Sequence, residues 1–368
     1  MSPEVATYAP GRHPARPPPA STVGVYGWLR MNLFSTPLNA LLTVLALYVL
    51  YLAVPPVIEW AFVDADWTGD TRAACRREGA CWVFISVWFR QLMYGRYPVE
   101  EIWRVNTAYV VLAAATAALL VPRVPGKPWI AVFLLFVYPL IAFQLFVGGF
   151  GLAQVETPLW GGLFLTLVIA IVGIVASLPI GIVLALGRRS HMPIIRAISV
   201  VFIEVWRGVP LITVLFMASV MFPLFMPEGM TFDKLLRALV GVMLFSAAYM
   251  AEVVRGGLQA IPRGQYEAAE ALGLTFWKMM ALIVLPQALK LVIPGIVNTF
   301  IGLFKDTTLV LIIGLFDFLG MIQLAGTNPQ WLGFAVEGYV FCGFVFWIFC
   351  FGMSRYSQRL ERKLQTSR

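Results

Sequence analysis

The sequence predicts an all-α polytopic membrane protein with about eight transmembrane helices, and three observations predict it. Hydrophobic residues make up 60% of the 368 residues and charged residues only 12%, a balance far outside soluble globular chains. Apolar runs of about 20 residues, long enough to cross about 30 Å of hydrocarbon, recur along the chain. Lys and Arg gather in a few short loops and at the C-terminus, where they set topology and meet anionic headgroups. The formal net charge of +8 therefore points to the lipid bilayer as partner, with no nucleic acid expected.

Residues 1–37 are rich in Pro, Arg and small side chains, including Pro17-Pro18-Pro19. Such a segment cannot bury enough apolar surface to fold alone, so a disordered tail is expected. It has no apolar stretch with a small-residue cleavage site, so no cleaved signal peptide is expected either. A first span follows over 38–57, then a mixed, aromatic-rich loop over 59–104. Spans two and three cover 106–121 and 129–147, joined by the basic turn 122–128. The fourth covers 161–186. Residues 197–226 exceed one upright span, and Gly208 with Pro210 is expected to separate a short interfacial helix from a fifth membrane helix. The sixth, seventh and eighth cover 235–255, 288–312 and 335–353, and a basic tail closes the chain.

Orientation follows from the basic residues. The loops 122–128, 187–196 and 255–286 and the final tail carry Lys and Arg, whereas 148–160 and 316–334 carry none. Both termini are therefore expected in the cytoplasm. The 59–104 loop has six arginines, but seven acidic residues accompany them, and long translocated segments are largely exempt from the rule.

One cytoplasmic stretch, 267–286, is distinctive. Ala268, Ala269, Ala271 and Leu272 favour helix. Gly273 tolerates a left-handed turn. Thr275 can cap a second helix carrying Phe276, Trp277, Met279 and Met280, and Pro286 is expected to interrupt it. The resulting helix–turn–helix is too polar to insert and too apolar to float free. Its apolar side, with Ala268, Ala271 and Leu272, needs a partner surface.

Glu267-Ala268-Ala269, Gly273 and Ile283-x-Leu285-Pro286 together resemble the EAA signature of ABC importer permeases at every fixed position. Three more segments resemble the polar amino-acid branch: Glu204-Val205-Trp206-Arg207-Gly208-Val209-Pro210-Leu211, the run from Tyr249 to Gln265, and Lys305-Asp306-Thr307-Thr308-Leu309-Val310, where Thr308 replaces the usual serine. The resemblance implies a five-helix type I permease core over 148–356 with a coupling loop at 257–286, and a basic cytoplasmic tail at 357–368. It leaves 38–147 as a three-helix N-terminal extension with a periplasmic loop at 59–104. That larger plan is similar to the M-type permease subunit of general L-amino-acid importers. It also implies a bacterial inner-membrane location, two copies of an ABC ATPase that bind ATP and Mg, a second and distinct permease, a periplasmic amino-acid-binding protein and an L-amino acid cargo. Glu267, Ala268, Ala269, Gly273, Leu285 and Pro286 would then couple to the ATPase.

Charges inside spans point to a pathway independently of the family, because an unpaired one at mid-membrane costs about 2.5–3.5 kcal/mol on insertion scales. An amino-acid zwitterion needs an anionic group and a cationic one. Glu204, Glu252 and Asp306 can supply the first, Arg207 and Lys305 the second. The same charges can instead form structural pairs or snorkel to the interface.

Cys75 and Cys81 fall in the outer loop, where a disulfide can form, whereas Cys342 and Cys350 share one face of the last span and read as packing residues. The two histidines, His13 and His191, lie far apart, and no metal site is expected. No nucleophile stands beside a base and no G-x-x-x-x-G-K-[ST] loop occurs, so no catalysis and no cofactor are expected in this chain. An ion-coupled secondary transporter of small polar solutes is the alternative function. It usually shows internal repeats, which this sequence lacks, and it would leave the EAA stretch without a purpose.

Overall fold

The computed structural model describes residues 23–365, except Arg77, Pro122, Glu228, Met230 and Thr231. The chain divides into two compact units, residues up to 68 with 75–81, and residues 69–74 with 82 onward.

In the first unit, α1 (Gly24–Asn32) precedes α2 (Pro37–Ile58). The expected disordered tail thus needs correction. Its first 22 residues lie outside the described residues, but Val25, Tyr26, Trp28, Leu29 and Met31 follow a glycine with no further proline, and they form a helix. Thr36 caps α2 by accepting the backbone N–H of Asn39 (3.1 Å). Apart from Asn39 and Thr43 near its start, α2 is built from apolar and tyrosine side chains, and none of its residues is buried, as befits a helix whose solvent is lipid. Beyond it, Cys75 and Cys81 are bonded, with Cα atoms 5.6 Å apart. Arg76 donates to Asp66 from its backbone N–H (2.7 Å) and its Nε (2.8 Å). These bonds, the backbone one foremost, hold the Asp66 carboxyl below its usual range.

The second unit begins with α3 (Val83–Tyr94), a helix inside the stretch expected to be loop. At 12 residues it cannot span, yet Val83, Phe84, Ile85 and Leu92 are buried. Next come α4 (Ile102–Leu120), α5 (Lys127–Val132) and α6 (Tyr138–Val147), the last two joined by a π-helical turn. The core proper starts with α7 (Gly162–Arg188) and α8 (Pro193–Gly208). A bend of 101° leads from α8 into Leu211–Phe225, which opens with α9 (Leu211–Phe216). The expected break between two helices at Gly208 and Pro210 is therefore present, because Pro210 lacks the N–H needed to continue α8. Asp233 caps α10 (Lys234–Ala260) through the Leu236 N–H (3.0 Å).

Four short helices follow, α11 (Arg263–Ala271), α12 (Phe276–Met279), α13 (Leu285–Leu291) and α14 (Ile293–Asp306). A 3-10 segment, Thr307–Ile313, extends α14, and the chain ends with α15 (Phe318–Gly326) and α16 (Ala335–Gln365). The seventh span is thus broken at Val292 rather than continuous from residue 288. The basic tail expected from residue 357 is a continuation of α16 as far as Gln365. Among the described residues seven helices are long and apolar enough to cross a membrane, or eight if the bent pair is one span.

Within the second unit, the part of the extension from α3 to α6 shares one interior with the core. Tyr97, Tyr109, Phe146, Trp160 and Phe164 interlock edge to face, and buried hydroxyls of Tyr97 and Tyr138 donate to the carbonyls of Phe146 (2.9 Å) and Ala108 (3.2 Å). The boundary expected at residue 147 is therefore not a structural gap. A second apolar cluster, at the other end of α7 and α10, carries the site.

Candidate functional site: the coupling turn and the charged helix ends

The end of α10 delivers the chain to Pro262, whose fixed φ starts α11 at once. On α11 Ala269 faces inward fully and Tyr266 in part. Ala269 is buried against a floor that includes Val254, Leu258, Met279, Met280, Val284 and Ala288. Ala268, Ala271 and Glu267 face out. Gly273 then takes φ +72°, its N–H bonding to Glu270 O (2.9 Å) while Leu274 N–H bonds to Ala269 O (3.1 Å). These bonds satisfy the carbonyls at the end of α11 in the manner of a left-handed helix cap. The turn leaves Leu272 77% and Trp277 71% exposed, with Phe276 beside them.

Two details differ from expectation. Thr275 occupies the capping position of α12, but its side chain accepts no hydrogen bond. Pro286 does not end the helix. A π-helical turn over Met280–Val284 comes before it, and such a turn absorbs the missing N–H that would otherwise break the ladder. Leu285 and Pro286 therefore lie inside a continuous rod that ends at Leu291.

A residue that sequence reasoning took only as a topology signal bolts this element down. Arg189, just past α7, donates through Nη1 to Leu258 O (2.8 Å) and to the Tyr266 hydroxyl (3.2 Å). Its guanidinium also lies over the Tyr266 ring at 5.7 Å. A cleft of about 430 Å³ opens alongside, lined by Arg189, Ile261, Arg263, Tyr266, Glu267 and Glu270.

The pathway candidates separate into two groups. Glu204, Arg207 and Glu252 come together with Arg188 and Arg255. Glu252 is 16% exposed in its side chain and faces three guanidinium groups, Arg255 at 2.7 Å, Arg188 at 3.0 Å and Arg207 at 3.8 Å. Arg188 also reaches Glu204 at 2.8 Å, and Arg207 lies over the Tyr249 ring at 5.5 Å. This network ties the last residue of α7 to α8 and α10. Lys305 and Asp306 make no ion pair among the described residues. They sit where α14 tightens into its 3-10 extension, with Lys305 exposed and Asp306 half-buried. The hydroxyls of Thr307 and Thr308 turn back onto the carbonyls of Phe304 (2.8 Å) and Lys305 (2.9 Å). No cluster of three or more metal-ligating side chains occurs among the described residues.

Residues 177–366 match the family model described as the binding-protein-dependent transport system inner membrane component. The matched stretch holds the charged network, the turn at Gly273 and both residues of the Lys305–Asp306 pair. The chain belongs to this family. It is a multi-pass membrane permease subunit of an ABC importer. The permease is 57% identical over 357 residues to the inner membrane amino-acid ABC transporter permease protein YhdY of Escherichia coli, with 97% of each chain covered. It is 40% identical to the glutamate/glutamine/aspartate/asparagine transport system permease protein BztC of Rhodobacter capsulatus, covering 95% of this permease and 96% of that one. The glutamate/aspartate import permease protein GltK of Escherichia coli is 34% identical, but the match covers 55% of this permease and 91% of GltK. The extension before the core is thus shared with the first two relatives, whereas a shorter permease matches only about half of the chain.

Proposed function

We propose that this permease carries an L-amino acid across the bacterial inner membrane, with both termini in the cytoplasm, as half of a pathway completed by a second, homologous permease. ATP and Mg are bound by two copies of a separate ABC ATPase, and a periplasmic binding protein delivers the cargo. The observation that carries this reading is the coupling turn. Ala269 and Arg189 fix its inner face, while Leu272, Phe276 and Trp277 stand out toward the cytoplasm with nothing among the described residues to cover them. Exposed aromatics on a rigid mount are what a protein interface uses as anchors. Glu267, Ala268, Ala269, Gly273, Leu285 and Pro286 shape that mount. Closure of the ATPase dimer on ATP would draw the two turns together, and the rod from Phe276 to Leu291 would pass the movement to α14.

Among the described residues Asp306 and its neighbour Lys305 make no ion pair, unlike Glu204, Arg207 and Glu252, so we assign contact with the passing zwitterion to this pair. Glu204, Arg207 and Glu252 have partners and serve to hold helix ends. The testing experiment is co-purification from the native membrane with identification of every subunit by mass. An ATPase, a second permease and a binding protein should accompany wild type, and the ATPase should be lost from Leu272→Asp/Trp277→Asp. Recovery of the chain alone, with ion-driven uptake in vesicles, would support the secondary transporter instead.

A further inference from the structure

The turn between α6 and α7 reads Gly148-Gly149-Phe150-Gly151, and all four residues have positive φ, at +89°, +101°, +51° and +94°. Phe150 is the one non-glycine residue with positive φ among the described residues. For a bulky side chain that region costs on the order of 1–3 kcal/mol. The tip is closed by reciprocal backbone bonds between Gly149 and Leu152 (3.0 and 3.1 Å), and its base by Val155 N–H to Val147 O (2.8 Å).

Two side chains clamp the turn from below. The Gln144 amide donates to Gly148 O (3.0 Å) and Gly149 O (2.7 Å). Arg104, with no exposed surface at all, donates from Nη1 to Ala153 O (2.9 Å). Arg104 itself is held by Glu101 Oε2 at 2.9 Å and lies over the Tyr97 ring at 5.9 Å. The clamp admits no substitute at Gly148, where a Cβ would come within 2.1 Å of Ala153 O.

A buried guanidinium and a strained backbone are thus committed to one surface turn, and the side chain at its tip is 100% exposed. Leaving a phenylalanine in water forgoes roughly 1.5–3 kcal/mol of burial. Single exposed apolar residues are ordinary, but here the ring stands on a turn held from below by Gln144 and Arg104. We infer that Phe150 is a preorganised aromatic anchor for the soluble binding protein, which receives it in an apolar socket. Preorganisation lowers the ordering cost of docking. The choice of occupant rests on the proposed function, whose topology places this turn at the outer mouth between two spans, and on the family's dependence on a binding protein. The rim supports it too, since residues 148–160 carry Glu156 and no Lys or Arg, a surface with little attraction for anionic lipid headgroups.

The test uses the complete permease–ATPase complex in nanodiscs, titrated with its purified cognate binding protein loaded with an L-amino acid, and reads stimulated ATP hydrolysis. Phe150→Gly keeps the positive φ and removes only the ring. Its half-stimulating concentration should rise about tenfold or more, the size expected for an interface anchor, with the maximal rate retained. Phe150→Trp should stay within about threefold of wild type. An unchanged titration for Phe150→Gly overturns the proposal while leaving the importer reading intact. Quenching of the Phe150→Trp fluorescence by brominated lipid before any binding protein is added would place the ring in the bilayer and overturn it as well. If wild type itself shows no stimulation, the importer reading fails, and the anchor with it.

Discussion

The two halves of the permease core handle charge in opposite ways. Near the ends of α7, α8 and α10, five charged side chains meet in one network around Glu252. At the end of α14, Lys305 and Asp306 have no such partners among the described residues, and the helix after them changes pitch. Paired charges at helix ends are cheap to keep because water and other charges share the load. An unpaired carboxylate within a span is expensive and persists where something else needs it. The comparison teaches that the motif charges of this chain are of two kinds among the described residues, one group paired and one not.

The largest test removes the hub of the network. Glu252→Ala strands three guanidinium groups and should destabilise the permease by about 2–3 kcal/mol, below the 3–5 typical of fully buried pairs because the partners are partly exposed. Detergent-solubilised yield and Tm should both fall, and a wild-type Tm would erase the distinction between the two halves. Asp306→Ala should do the reverse, cutting uptake in proteoliposomes by about tenfold or more while the complex assembles normally. Loss of assembly would move Asp306 into the frame. Gly273→Val leaves the interior untouched, since nothing lies within 4 Å of the added Cβ. The strain at φ +72° is of order 1–3 kcal/mol, so the permease should insert normally but lose substrate-stimulated hydrolysis, as measured by subunit retention and ATPase rate in nanodiscs.

A subtler effect concerns Asp317, outside the spans and fully buried at the start of α15, where it accepts from Gly320 N–H (3.0 Å). Burial pushes its carboxyl up to about 6, against the pull of those backbone donors. A raised carboxyl favours the protonated folded state. Its contribution is therefore complete below the ordinary value of 3.8 and lost as pH rises through about 6. Asp317→Asn keeps a capping oxygen without the charge, so its Tm should gain on wild type steadily from pH 4 to pH 7. A constant difference between the two would mean the buried carboxyl does not titrate in that window.

Much of the frame was legible because it is written locally. Gly273 turns where the spacing placed it, and the bend at Pro210 follows from one missing N–H. What escaped depended on partners distant in the chain. Arg188 and Arg189 read as topology markers, yet one pairs with Glu252 and the other grips Tyr266, contacts that only the packing of α7 on α10 creates. The α3 helix was hidden because 12 residues with Arg90 among them resemble neither a span nor a soluble amphipathic helix. The π-helical turn ahead of Pro286 was hidden for a different reason, since no residue pattern announces an extra residue in a helical ladder.

The length of α16 carries a mechanical consequence. Its 31 residues measure about 46 Å at 1.5 Å per residue, well beyond the hydrocarbon thickness. Arg355, Arg359, Arg362 and Lys363 ride on the final turns, at the depth where anionic headgroups would seize them. Lateral tilting is still open to such a helix, but sliding along its own axis would drag four cations into oil. A helix so anchored would rock rather than piston, and α14 and α15, which pack on it, would share its height relative to the membrane surface.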